Sequence, residues 1–183
     1  FLSAAMWSMI HDYHSFRRVS GVLTGLQPYL KALDDYQNGE SQALVRLGGI
    51  HAFKERAAGW LVSPEPSVRA FAAIVLGVSG DRTYAARVAR LLRNPIRTER
   101  DEEPIDRGRA AQALGMMGAT EYQERLADFL NSANQYDRVG AVYAFGYLKA
   151  KDQERALGRL LYDKNESVRT AAEEALGWMD APE

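Results

Sequence analysis

Three kinds of side chain in this 183-residue chain have the types and spacing for chemistry. His11 and His14 lie three residues apart with Asp12 between them, so on a helix both imidazoles share a face, as a transition-metal pair requires. His51 has no spacing that makes it a third ligand, and no metal site is assigned. Asp34-Asp35 and Glu173-Glu174 are adjacent acids. Neighbours on a helix diverge by about 100°, so neither pair forms an acid–base dyad, and each reads as a solvated face. There is no cysteine, which removes disulfides, thiolate zinc sites and cysteine nucleophiles together. No catalytic or cofactor-binding residue is assigned, and the chain is expected not to be an enzyme.

The third kind is arginine, and it comes in register. Arg69, Arg107, Arg138 and Arg169 each stand eight residues before a glycine: Gly77, Gly115, Gly146 and Gly177, separated by 38, 31 and 31 residues. Each arginine falls at the end of a first helical turn, where the helix dipole disfavours a cation. Four such placements demand compensating partners. The spacing predicts a structural ladder, each guanidinium bonded to a carboxylate or carbonyl in the neighbouring turn, with Asp163 available to Arg169. A row of anion-binding arginines is the other reading; the planar guanidinium fork suits the ladder.

The elements that position these side chains repeat with them. Three residues before each arginine stand Pro66, Pro104, Gln135 and Glu166, preceded by Glu65, Glu103, Asn134 and Asn165. Proline at the first helical position and asparagine at the N-cap are helix-start chemistry. A second helix follows each, in "TYAARVARLLRN", "EYQERLADFLNS" and "DQERALGRLLYD". There Val88, Leu126 and Leu157 form one apolar column, Leu91, Phe129 and Leu160 the next, and Leu92, Leu130 and Leu161 a third. A worn earlier unit shows in "ESQALVRLGGIHAFKERAAGWLV", and the extra length between Gly77 and Gly115 maps to the mixed-charge loop "RNPIRTERDEEPI". A single helix pair is too short to bury its own apolar face, so neighbours must stack. The expectation is an all-α chain, an α-α superhelix of about five helix pairs. Residues 1–39 would be N-terminal capping helices and residues 40–183 the repeat array, in one continuous domain. "FLSAAMWSMI" is too short to span a bilayer and reads as a packed first helix; as the sequence starts at Phe1, it is also the candidate tail of a longer segment.

Net charge is −1, which offers no bulk attraction to nucleic acid or anionic lipid. Hydrophobic and charged shares of 46% and 26% are those of an ordinary globular chain, and a cytoplasmic location is expected.

The arginine, paired alanines and Leu-Gly of "VRAFAAIVLG" and "DRGRAAQALG" resemble HEAT repeats, in particular the short bacterial subtype named after phycobilisome lyases. The resemblance implies a right-handed stack with the arginine-bearing helices on the concave side. It implies most directly a non-catalytic scaffold for a protein or peptide. Alternatives in the family are a phycobilin-lyase-like enzyme or chromophore chaperone, and a DNA-base excision enzyme that the missing basic stripe disfavours. About 100° per residue from Val68 places positions equivalent to 70, 73, 74 and 77 away from the core. The expected partner-binding residues are therefore Ile74, Gln112, Val139, Tyr143, Tyr147 and Glu174, a partly aromatic strip grading into acid. Trp178 and Met179 are candidates for a homo-oligomeric contact through the C-terminal end.

Overall fold

The structure is a computed structural model that describes residues 49–93 and 105–181, the side chains from His51 on. The expected capping helices of 1–39, His11, His14, Asp34 and Asp35, and the helix-start pair Glu103 and Pro104 lie outside these residues. The chain divides into two compact units, residues 1–56 and 57–183.

All regular structure among the described residues is helical: α1 (Gly49–Trp60), α2 (Pro66–Val78), α3 (Ala85–Ala89), α4 (Asp106–Met116), α5 (Gln123–Phe129), α6 (Gln135–Tyr147), α7 (Glu154–Leu160) and α8 (Glu166–Asp180). They pack as consecutive pairs, and the second helices α3, α5 and α7 each follow a short 3-10 turn. Helix starts follow the expected chemistry. Pro66 opens α2; Asn134 Oδ1 accepts from Tyr136 N at 2.8 Å and Asn165 Oδ1 from Val168 N at 3.3 Å. Helix ends share a left-handed residue, supplied by Gly80, Gly118 and, in the third unit, Lys149 at φ 47°. Val88, Leu126 and Leu157 are fully buried, as their column predicts.

Successive first helices meet almost backbone to backbone. A Cβ added to Gly77 would lie 2.7 Å from Ala113 Cα, and one added to Gly146 would lie 2.9 Å from Ala175 Cβ. Gly115 abuts Ala144 in the same way, Gly140 abuts Gly108, and Gly108 lies against the Tyr136 carbonyl. Only a residue without a side chain permits that approach, which is why the Leu-Gly pair recurs.

One to two turns away the arginines tie the same helices together. Arg69 Nε donates to Asp106 Oδ2 at 2.6 Å, and Arg107 Nη2 lies 3.2 Å from Asp137 Oδ2. Arg138 grips Asp163 through both Nε and Nη2, at 2.8 and 2.9 Å. Each acid comes from the following unit. Nη1 of Arg69, Arg138 and Arg169 also donates to the carbonyl six residues earlier, those of Ser63, Ser132 and Asp163, at 2.7, 2.7 and 2.9 Å. The guanidinium bonds thus run from turn to turn and from unit to unit, Asp163 serving Arg169 by its carbonyl and, in addition, Arg138 by its carboxylate. Arg69 and Asp106 are both essentially inaccessible to solvent. Removing either would strand a buried charge, a loss of about 3–5 kcal/mol.

Asp163 feels two opposed influences. Partial burial pushes its carboxyl up, but the hydrogen bonds from Arg138 and from the backbone of Asn165 outweigh this and hold it below the ordinary 3.8. A depressed carboxyl adds stability that is complete above the unfolded value and disappears as pH falls through the folded one. Acid titration of unfolding free energy should thus show a decline below about pH 4 that is shallower in Asp163→Asn. The glycine column makes a sharper test. Gly115→Ala should cost about 1–3 kcal/mol by overpacking against Ala144. Gly177→Ala, where an added Cβ meets nothing within 4 Å, should stabilise by up to about 1 kcal/mol through helix propensity. Urea denaturation of the two variants reads the opposite signs.

Candidate functional site

The repeat places four residues of one column side by side on α2, α4, α6 and α8: Ile74, Gln112, Tyr143 and Glu174. Four residues further along each helix the flanking column reads Val78, Met116, Tyr147 and Trp178. The two columns converge at the C-terminal side of the array. Tyr143 Oη donates to Glu174 Oε2 at 2.9 Å, joining α6 to α8. The Trp178 ring stacks on Tyr143, with centroids 5.6 Å apart and planes at 20°, and lies tilted against Tyr147 at 5.1 Å. All three rings are half-buried, while Glu174 is exposed. On α4, Arg109 Nη1 donates to Gln112 Oε1 at 3.0 Å, and its charge reaches both tyrosines.

The electrostatics keep the phenols protonated. Burial pushes Tyr143 upward first, and the hydrogen bond to Glu174 with its negative charge adds to the rise; Arg109 opposes it. Tyr143 ends far above the ordinary 10.0. Tyr147 is also raised, chiefly by burial, with the nearby Gln112 amide acting against. Its hydroxyl is enclosed beside Gln112 yet makes no well-formed hydrogen bond among the described residues. A neutral phenol donating to a carboxylate is neither nucleophile nor general base at neutral pH. What the arrangement offers is a rigid aromatic platform edged by a carboxylate and a guanidinium.

The rest of the expected strip departs from this. Ile74 and Gln112 are only 3% and 5% exposed, so neither presents a side chain to a partner. Ala70, Ala73 and Gly77, placed with Ile74 on the outward side by helical angle, are buried too. The reason is geometric: an inner helix is covered by the helices before and after it as well as by its own pair-mate, so the apolar arc is far wider than on a surface helix. Val139 packs half-buried against the core. The expected C-terminal contact residues are also placed otherwise. Met179 is 3% exposed, and Trp178 lies between the two tyrosines. Arg109 was missed by the strip, and Trp178, although in the Tyr147 column, was not counted among its partner-binding residues.

Residues 123–183 match the family model for HEAT repeats, and residues 106–132 match that for the PBS lyase HEAT-like repeat. The similarity to HEAT repeats thus spans residues 106–183. Among solved structures, a similar chain belongs to the complex of CpcE and CpcF of phycocyanin lyase from Nostoc sp. PCC7120. It is 21% identical with a TM-score of 0.46, the likeness covering 69% of this chain and 65% of that one. No curated protein matches the sequence. The matched HEAT segment contains α5 to α8 and so holds Tyr143, Tyr147, Glu174 and Trp178 together. No helix among the described residues is long and apolar enough to cross a membrane, and no cluster of metal-ligating residues occurs among them.

Burial of Tyr143, joined by its hydrogen bond to Glu174, has a direct spectroscopic consequence. A raised phenol adds stability that is present below the unfolded value near 10 and is lost as pH rises above it. In an alkaline ultraviolet titration, the difference between wild type and Tyr143→Phe should show no phenolate at pH 10, appearing only as the fold gives way. A group ionising near 10 in that difference would remove the bond from the description.

Proposed function

We propose that this chain is a non-catalytic interaction scaffold that binds a protein or peptide partner across the Tyr143–Trp178–Tyr147 platform, on the concave side of the repeat array. The observation that carries the reading is the three-ring stack itself, half-open and held by α6 and α8. Aromatic side chains that are already ordered lose little entropy on contact, and polar groups at the rim fix register. Glu174 and Arg109 are placed to do the second job. The protonated state of Tyr143 supports a binding role over an acid–base one.

A second reading, a phycobilin-handling protein, draws on the match of residues 106–132 to the PBS lyase HEAT-like model and on a flat aromatic surface suited to a conjugated chromophore. The two separate cleanly. A photoreactive amino acid at position 174 should cross-link a partner from native extract, and Trp178→Ala should reduce recovery by more than about tenfold, as loss of an aromatic anchor does. The same photoreactive group at Tyr162, 88% exposed elsewhere on the surface, is the control. Equal recovery from both positions would discard the platform as the binding face. A shift in bilin absorbance on mixing, abolished by Trp178→Ala, would favour the second reading instead.

A further inference from the structure

The second helices of the units differ in charge far more than the fold requires. Residues 82–93, which form α3 and the 3-10 turns on either side of it, carry four arginines and neither a lysine nor an acid. Arg82, Arg90 and Arg93 are exposed, and Arg87 is half-buried over the Tyr84 ring, 5.8 Å from its centroid. Nearby acids are engaged elsewhere. Asp81 Oδ1 accepts from the Thr83 amide and hydroxyl at 3.1 and 2.7 Å, and Glu121 pairs with Arg82 at 2.7 Å. The side chains of Arg90 and Arg93 have neither an ion pair nor a hydrogen bond among the described residues.

Arg87, Arg90 and Arg93 recur at intervals of three, and Arg90–Leu92 is a 3-10 turn, in which side chains three apart eclipse. Like charges so placed repel each other. Packing does not call for the row. The matching positions read Arg125, Asp128 and Asn131 in the next unit and Ala156, Arg159 and Tyr162 in the last. A cation in the last turn complements the helix dipole, yet Asp128 stands at that place on α5, so the dipole does not account for the row either.

We propose that the α3 face docks an acidic segment of a protein partner, whose carboxylates pair with Arg90 and Arg93 beside Arg87. Each guanidinium fork takes a carboxylate through two parallel N–H donors, and anions drawn into the row relieve the repulsion within it. The neighbouring helix limits what fits. Glu121, Glu124 and Asp128 are all exposed on α5 and the turn before it. A nucleic-acid backbone or an anionic membrane lying across both helices would meet these acids next to the arginines. A short acidic segment that follows α3 meets arginine alone. The face belongs to a second helix and the aromatic platform to the first helices α6 and α8, so the two readings stand or fall separately. Exposed pairs are weak singly and screened by salt, so the affinity is modest at low salt and declines as salt is added.

Fluorescence anisotropy of a labelled hexaglutamate peptide, titrated with the 183-residue chain at low salt, tests this. Wild type should bind the peptide. Arg90→Glu combined with Arg93→Glu should raise the Kd by more than about tenfold. The same reversals at Arg155 and Arg159, exposed on α7, change net charge equally and should move the Kd by less than about threefold. An unchanged thermal melt verifies the fold of each variant; where the reversal lowers it, Arg90→Gln with Arg93→Gln carries the same test. A wild type that does not bind overturns the proposal. Equal losses in the two double reversals overturn it too, because net charge would then explain the binding. Tighter binding of an oligothymidylate of equal charge, or of phosphatidylserine vesicles, than of the peptide gives the face to a different class of partner and overturns it as well.

Discussion

The structure depends on how closely its first helices approach. Gly77, Gly115 and Gly146 bring each of these helices onto an alanine of the next at a distance that leaves no space for a methyl group. Contact that close buries backbone as well as side chain and fixes axial register, because a shift of one residue sets a side chain against a main chain. The arginine, eight residues earlier in each helix, pins the other end of the same pair. Two pins about two turns apart leave neither sliding nor rotation free. The alignment of the outward columns, and so the meeting of Tyr143, Tyr147 and Trp178, follows from this.

The ladder also shows why a costly feature is tolerated. A buried guanidinium and carboxylate give a net stability close to that of an apolar pair, because desolvation consumes most of the attraction. Their value lies in geometry. Arg138 uses Nε and Nη2 for the acid of the next unit and Nη1 for carbonyls of the preceding turn, so a single side chain fixes three segments. A leucine in its place would pack but would not select one arrangement. The same carbonyl bonds answer the unfavourable position of a cation near a helix N-terminus.

Much of this was legible in the sequence, because periodic constraints write periodic text. Proline and asparagine marked the helix starts, and the arginine and glycine columns marked the two pins. Leu157 and its column marked the core. Exposure was not legible to the same degree. Helical angle placed Ile74 outward, yet it is buried. A single-helix projection assumes one covered arc, and an inner repeat helix has several neighbours. The aromatic platform was half legible. Comparing columns put Trp178 beside Tyr147 as it did Tyr143 beside Glu174, but Trp178 was counted as a candidate end contact and left out of the partner-binding set. Asp163 serves Arg169 as its place in the chain suggested, through its carbonyl, while the reach of its carboxylate to Arg138, 25 residues away in sequence, was not legible.

Comparing units within the chain separates what the fold demands from what it leaves free. The stacking columns admit little variety: glycine in all four units, arginine in all four, and alanine in the three units on which the preceding unit's glycine presses. The outward column reads isoleucine, glutamine, tyrosine and glutamate, four chemistries in four units on the same backbone. Only its last two members reach the surface, Tyr143 half-buried and Glu174 exposed, so the fold leaves those two positions and not the whole column free of packing. The forward column of the last unit makes the same point from the opposite side. Ala73, Ala111 and Val142 are fully buried while the member on α8 is the exposed Glu173, so the column changes character where it meets solvent.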